Sequence, residues 1–138
     1  MYSTNSSRRP ARRSLRVLIV DDEHTLADSL AMIVQYSGHD SLAVYTGREA
    51  VNAMQTFHPD VVLSDVMMPG MNGFELVGHL AEHFPDCKVL LMSGAHSAVE
   101  IAEEHTTRGR FMNVLPKPVL PQTILKFVAS CAEAPAMG

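Results

Sequence analysis

Short apolar runs that alternate with segments of helical periodicity constrain the fold of this chain more than any other feature. Continuous apolar runs of this length are typical of strands that are covered on both faces. They span residues 17–20, 61–63, 89–92 and 114–115, with a weaker run at 41–44. Because neighbouring parallel strands need crossover helices, the alternation predicts an α/β fold with a doubly wound parallel sheet.

Apolar residues recur at helical spacing between these runs. Three helices are indicated by the groups Leu26, Leu30, Ile33 and Val34; Phe74, Val77, Leu80 and Phe84; and Ile124, Leu125 and Val128. Gly38 and Pro85 are the expected ends of the first two, because Gly and Pro commonly stop helices. The third is expected over about residues 121–131, and residues 97–108 predict a weaker, more polar helix. Five strand-then-helix units result.

The length of 138 residues fits a single domain. Hydrophobic residues make up 46% of the chain and charged residues 19%, which is typical of globular proteins that are neither disordered nor embedded in a membrane. We expect a disordered basic arm over residues 1–14, one folded domain over residues 15–132 and a short tail over residues 133–138.

Charge is distributed unevenly along the chain. Residues 1–16 carry five arginines and no acid, so a total of −4 leaves −9 on residues 17–138. An acidic body argues against direct nucleic-acid binding, which needs clustered Lys and Arg on the folded surface. The arm itself has two interpretations: contact with nucleic acid or membrane, or a solvated leader.

No targeting or membrane segment is predicted. The apolar run at residues 15–20 is interrupted by Arg16 and followed by Asp21, so it is shorter than the roughly 7–15 residues of a signal-peptide core. No stretch approaches the roughly 18 apolar residues of a membrane span. Cys87 and Cys131 form no paired motif, and a reducing, cytoplasmic location is expected.

Polar residues follow four of the predicted strands. They are Asp21, Asp22 and Glu23, then Asp65, then Ser93 and Gly94, then Lys117 and Pro118. Ligands of doubly wound sheets bind beyond the carboxyl ends of the strands. Crowded carboxylates favour a hard divalent cation such as Mg2+, and a nearby lysine and hydroxyl favour a phosphoryl group. We therefore expect a site for a metal and a phosphoryl group.

Each of these motifs alone has a simpler interpretation. The acidic triplet at residues 21–23 is usual at a helix N-terminus, and the Pro69-Gly70 and Asn72-Gly73 pairs are ordinary turn residues. The seven histidines are interpreted as surface side chains rather than as a zinc site. Only the placement of all of these motifs at strand ends indicates a site for a metal and a phosphoryl group.

Four segments together resemble the response-regulator receiver family. They are Val17-Leu-Ile-Val-Asp-Asp-Glu23, Asp60-Val-Val-Leu-Ser-Asp-Val-Met-Met-Pro-Gly-Met-Asn-Gly73, Leu91-Met-Ser-Gly94 and Leu115-Pro-Lys-Pro118. They occur in the family's order and at its approximate spacing, and the resemblance covers about residues 15–132. It implies a flavodoxin-like (βα)5 sheet with strand order 2-1-3-4-5.

The resemblance also implies residue roles. Asp65 matches the phosphoacceptor, and the metal ligands match Asp21, Asp22, Asp65 and the backbone carbonyl of Met67, with Mg2+ as the cofactor. Lys117 matches the residue that contacts the phosphoryl oxygens, and Ser93 matches the switch hydroxyl. The family's bond corresponding to Lys117–Pro118 is typically cis, which proline tolerates.

Three positions depart from the family pattern. Val114 stands where the family often has a Tyr or Phe that partners the switch hydroxyl, so a different switch mechanism is expected. Met67 and Ala95 stand at positions that commonly influence attack by water on the phosphoryl group. Neither side chain can orient water by hydrogen bonding, which predicts slow self-dephosphorylation.

The resemblance implies a signalling switch rather than an enzyme with an external substrate. The expected partners are a histidine kinase or histidine phosphotransfer protein, a downstream protein target and, as one assembly, a homodimer. Two other functions are open: a module that signals by binding without phosphorylation, and a magnesium-dependent phosphohydrolase. The sequence is equally compatible with a stand-alone regulator and with a part of a longer protein.

Overall fold

The computed structural model describes residues 13–94 and 113–133, which form a five-stranded parallel sheet with helices on both faces. The strands are β1 (Arg16–Val20), β2 (Asp40–Val44), β3 (Val61–Asp65), β4 (Lys88–Ser93) and β5 (Asn113–Pro116), and the helices are α1 (His24–Tyr36), α2 (Gly47–Phe57), α3 (Gly73–His83) and α4 (Pro121–Ala132). The strand order is β2-β1-β3-β4-β5, with every pair parallel. The predicted α/β fold, the flavodoxin-like class and the strand order are therefore confirmed.

Successive residues of the central strands point to opposite layers of the core. Val17 and Ile19 of β1 pack with α1 and α4, whereas Leu18 and Val20 pack with α2 and α3. Every residue of β3 is buried. This is the pattern expected for a parallel strand that is covered by helices on both faces.

The outer strands differ from the expectation of full burial. Neither β2 nor β5 contains a buried residue, since all of their residues are exposed or half-buried. Both lie at an edge of the sheet, where a strand pairs on one side only and helices cover it incompletely. The helix expected over 97–108 lies outside the described residues, as do residues 1–12 and 134–138 of the predicted arm and tail.

The Asn72-Gly73 pair begins a helix rather than a simple turn. Asn72 is the N-cap of α3: its side-chain oxygen accepts a hydrogen bond from the Glu75 amide at 2.9 Å, and Glu75 Oε1 accepts one from the Asn72 amide at 2.8 Å. This reciprocal capping box fixes where α3 starts relative to the end of β3.

None of the helices within the described residues combines the length and apolar character needed to cross a membrane.

Candidate functional site

Four neighbouring strands place polar side chains along one edge of the sheet. Asp21 follows β1 directly, Asp65 and Ser93 are the last residues of β3 and β4, and Lys117 follows β5 directly. Asp21, Asp65 and Ser93 are buried, with 0, 6 and 0% of their surface exposed. The structure therefore assembles the predicted cluster at the carboxyl ends of the strands, from residues far apart in sequence.

Lys117 joins this cluster through its ammonium group. Its Nζ donates to Asp21 Oδ2 at 3.1 Å and to Asp65 Oδ2 at 3.2 Å, and it lies 3.6 Å from Glu23 Oε1. The lysine side chain is 19% exposed. The ammonium group thus lies between two buried carboxylates. From this position it can also contact an anion bound at the edge of the sheet.

The carboxylates of Asp21, Asp22 and Asp65 fit a divalent cation. Each offers an oxygen, and these oxygens lie within 4.8 Å of one another. Hard oxygen ligands of this kind suit Mg2+, which also retains several waters. Asp22 is exposed, so one side of the group is open to water.

The electrostatics of Asp65 and Lys117 reflect this crowding. Burial raises the pKa of Asp65, and the charge of Asp21 adds to the rise, while Lys117 and a backbone hydrogen bond from Met67 offset part of it. Burial lowers the pKa of Lys117, but the hydrogen bonds and charges of Asp21 and Asp65 outweigh this and raise it. Ionisation of Asp65 is therefore unfavourable in the folded protein unless a further cation binds nearby.

Replacing Asp65 with asparagine is expected to stabilise the metal-free protein at neutral pH. The folded state binds the Asp65 proton more tightly than the unfolded state, so stability falls as pH rises through the region between the two pKa values. The Asp65→Asn variant has no carboxyl group at this position, so its stability does not fall in this way. Its advantage should shrink as the pH is lowered, because the carboxyl of the folded wild-type protein then becomes protonated too.

Urea unfolding in the presence of a chelator, at neutral and acidic pH, would measure this difference. Asp86→Asn, at an exposed position, is the matched control. An Asp65→Asn protein that is less stable than wild type at neutral pH would contradict the prediction.

Helix capping does not explain the acidic triplet. Glu23 is the N-cap of α1, yet its side chain makes no capping hydrogen bond. Instead Asp21 Oδ1 accepts a hydrogen bond from the Glu23 amide at 2.9 Å, which fixes the orientation of the Asp21 carboxylate. The contact between Glu23 and Lys117 was not predicted. The position of Glu23 next to Asp22 was the signal in the sequence that could have indicated it.

His24 and Tyr45 close the other side of this loop. Their rings stack with centroids 3.8 Å apart, and the Tyr45 hydroxyl donates to Asp28 Oδ1 at 2.6 Å. That hydrogen bond is the main reason that the pKa of Tyr45 is raised. The stack fixes the position of the His24 ring at the start of α1.

Gly73 brings the start of α3 against the backbone of Asp65. A Cβ at Gly73 would lie 2.7 Å from the Asp65 carbonyl oxygen and 3.0 Å from Val66 Cα. The Gly73 amide also donates to the Val66 carbonyl at 2.9 Å. Gly73 was predicted to be a turn residue, and its close contact with the site was not predicted.

The remaining predicted positions are placed as follows. Met67 lies in the loop after β3 with 66% of its surface exposed, and Val114 packs beside Val66 and Leu91 in a small apolar cluster. The Lys117–Pro118 bond is cis, as expected. Ala95 lies outside the described residues.

Asp60 belongs to the quoted motif but lies at the opposite end of β3. Its Oδ2 accepts from the Arg16 amide at 2.8 Å, where β1 begins. Asp60 therefore ties the amino-terminal ends of two strands together and takes no part in the acidic cluster.

This fold and site define a flavodoxin-like α/β domain with an acidic, metal-capable edge. A sequence model described as the response regulator receiver domain matches residues 17–129. The response regulator protein FleR of Pseudomonas aeruginosa is 34% identical over 114 residues, which cover 83% of this chain and 24% of FleR. The DNA-binding response regulator MtrA of Mycobacterium tuberculosis is 39% identical over 61 residues, which cover 44% of this chain and 27% of MtrA.

A solved structure agrees with these relatives. The chemotaxis response regulator CheY4 of Vibrio cholerae has a TM-score of 0.75 at 30% identity, and the match covers 86% of this chain and 99% of that one. The chain therefore belongs to the response regulator receiver family of two-component signalling. It spans about a quarter of the length of FleR and MtrA.

Proposed function

We propose that this protein is a phosphorylation-dependent switch that accepts a phosphoryl group on Asp65. The observation that carries the proposal is the position of Lys117 Nζ, 3.1 Å from Asp21 Oδ2 and 3.2 Å from Asp65 Oδ2. A nucleophilic carboxylate, a second carboxylate for a metal and a cation for the incoming anion thus converge at one point. Family membership supports the same chemistry, since receivers are phosphoacceptors rather than enzymes that turn over a substrate.

The reaction at Asp65 is a transfer between two anions. A carboxylate oxygen attacks phosphorus, a new P–O bond forms, and the bond to the donor breaks with its electron pair leaving on the donor. Repulsion between the carboxylate and the phosphoryl group opposes this approach. Lys117 offsets the repulsion with a positive charge that is already in place before the phosphoryl group arrives.

Asp21, Asp22, Asp65 and the backbone carbonyl of Met67 are the proposed ligands of Mg2+. When bound, Mg2+ would offset the negative charge of the carboxylates and of the phosphoryl oxygens. Asp21 is held for this role by the Glu23 amide, and exposed Asp22 leaves room for water.

Ser93 is the proposed link between the phosphoryl group and the rest of the molecule. It is buried at the end of β4, and its carbonyl accepts from the Lys117 amide at 2.8 Å. A movement of Ser93 toward a phosphoryl oxygen would therefore pull on both the β4 and β5 ends. Val114 has no aromatic ring that could move together with Ser93. We therefore propose that another packed side chain transmits the movement of Ser93 to the surface.

The proposed partners follow from this role. A histidine kinase or histidine phosphotransfer protein would supply the phosphoryl group in the cytoplasm, and a downstream protein would bind the altered surface, with homodimerisation as one form of output. MtrA is described as DNA-binding. For this chain we propose a receiver domain over residues 15–132 whose acidic body does not itself bind nucleic acid.

Incubation with a small phosphodonor and Mg2+ tests the proposal. We expect one phosphoryl adduct per chain by mass spectrometry, stable in acid and labile in base, and lost when a chelator is added first. Asp65→Asn should abolish the adduct, while Asp86→Asn, at an exposed carboxyl, should leave it intact.

An adduct that persists in the Asp65→Asn protein would overturn the assignment of Asp65. A wild-type protein that gives no adduct would favour the binding module without phosphorylation, and steady turnover of phosphate esters would favour the hydrolase.

The aspartyl phosphate is expected to outlast donor removal by much more than seconds. Met67 and Ala95 cannot orient a water molecule, and 66% of the surface of Met67 is exposed at the edge of the site. Met67→Asn should shorten the lifetime, because it adds a side chain that can hold water. Time-resolved mass spectrometry after donor removal measures both lifetimes, and decay of wild type within seconds would contradict the prediction.

A further inference from the structure

Helix α3 carries two histidines whose spacing matches a chelating pair. His79 and His83 are four residues apart in the sequence His79-Leu-Ala-Glu-His83. Residues at this spacing lie on the same side of a helix, with Cβ atoms about 5–6 Å apart. The histidines were predicted to be surface side chains, and a role for this spacing was not predicted.

The structure brings the two imidazoles together. Their ring centroids are 4.5 Å apart with the planes tilted by 41°. His83 is 57% exposed, and His79 is half-buried on the flank beside the core-facing residues Leu76 and Leu80. The pair is therefore open to solvent on a regular helix that is anchored to the sheet, so little ordering is needed for both rings to bind one ion.

The charge beside the pair also favours a cation. Glu82 Oε1 lies 3.8 Å from His83 Nε2, and the Glu82 side chain is 79% exposed. A carboxylate at this distance adds negative charge beside the pair, which favours a bound cation.

We propose that His79 and His83 form a surface site for one transition-metal ion that prefers imidazole, such as Zn2+, Ni2+ or Cu2+. Neutral imidazole suits these metals, whereas Mg2+ prefers oxygen ligands. The site is thus chemically distinct from the acidic edge and does not depend on the function of Asp65.

The proposal is for binding and not for hydrolysis. The order His-x-x-Glu-His occurs in one class of zinc peptidases, where further groups complete the metal site. Among the described residues, Asp21, Asp22 and Asp65 are the one group of three potential ligands within 4.8 Å of one another. The histidine pair therefore supplies two ligands, and water completes the coordination.

Calorimetric titration of the untagged protein with Zn2+ tests the proposal. Excess Mg2+ is present throughout so that the acidic edge is occupied by the harder ion. We expect one Zn2+ per chain, and His79→Gln and His83→Gln should each weaken binding about tenfold or more, because a chelate becomes a single ligand. Glutamine keeps helix propensity, so both variants should fold, as circular dichroism would verify.

His24→Gln is the matched control, because it removes the histidine beside the acidic edge. Retained Zn2+ binding in this variant, with loss in the two α3 variants, supports the pair. In wild type and in His24→Gln, but not in the two α3 variants, Zn2+ should also raise the unfolding midpoint, since it binds only the folded arrangement. Binding that is unchanged in His79→Gln and His83→Gln, or lost instead in His24→Gln, would overturn the proposal.

Discussion

Replacing Lys117 with methionine is expected to lower the free energy of unfolding of the metal-free protein by about 2–3 kcal/mol. Removing one partner of a buried ion pair leaves an uncompensated charge, which typically costs about 3–5 kcal/mol, and the partial exposure of the lysine reduces that figure. The charges left behind are Asp21, which is fully buried, and Asp65, which is 6% exposed.

Mg2+ should rescue much of this loss. The divalent ion and the ammonium group offset the same carboxylates, so the variant should also bind Mg2+ more tightly than wild type does. Phosphorylation should nevertheless be slow, because the cation that Lys117 contributes beside Asp65 is missing. Urea unfolding with a chelator and with saturating Mg2+ measures the stability difference.

Lys126→Met, at an exposed position on α4, is the control and should change stability by no more than about 0.5 kcal/mol. An equal loss for Lys117→Met with and without Mg2+ would mean that the lysine contributes packing rather than charge.

Gly73→Ala is expected to destabilise the protein by about 2–3 kcal/mol. The added Cβ would lie 2.7 Å from the Asp65 carbonyl oxygen and 3.0 Å from Val66 Cα, which are backbone atoms that cannot rotate away. The nearby Leu91 side chain, at 3.2 Å, closes the remaining space. Either α3 or the end of β3, which carries Asp65, must shift.

Gly78→Ala provides a matched control on the same helix. A Cβ at Gly78 meets nothing within 4 Å, and the residue is exposed within α3. Alanine there should stabilise the protein by about 0.5–1 kcal/mol, through helix propensity. Thermal unfolding would measure both variants, and amide chemical shifts of Asp65 and Val66 would report the displacement. A Gly73→Ala protein as stable as wild type would contradict the prediction.

Much of the fold could be predicted because burial and strand type coincide in the central strands. The apolar run at 61–63 marks β3, which is buried at every position, and the segments between runs carry helical spacing. The edge strands were harder to describe. Their apolar runs are weaker or shorter than those of the centre but were interpreted in the same way, and the strand order shows why β2 and β5 are covered less completely.

The composition of the site could be predicted for a related reason. In a parallel sheet the carboxyl ends of the strands share an edge, so residues that follow the strands meet regardless of their separation in sequence. Asp21, Asp65, Ser93 and Lys117 were found in this way. The contact of Gly73 with the Asp65 backbone depends on the path of the intervening loop, and no periodicity in the sequence encodes that path.

The two hydrogen bonds of Lys117 bear on when the site is completed during synthesis of the chain. They connect residues that are 96 and 52 positions apart in the chain. Contacts of such high sequence separation require the closure of long loops, which makes them slow to form. During synthesis, Lys117 leaves the ribosome after almost all of the sheet, so a nascent chain contains the acidic residues long before it contains their cation. The buried carboxylates therefore lack the positive charge that offsets them until the fifth strand has been made.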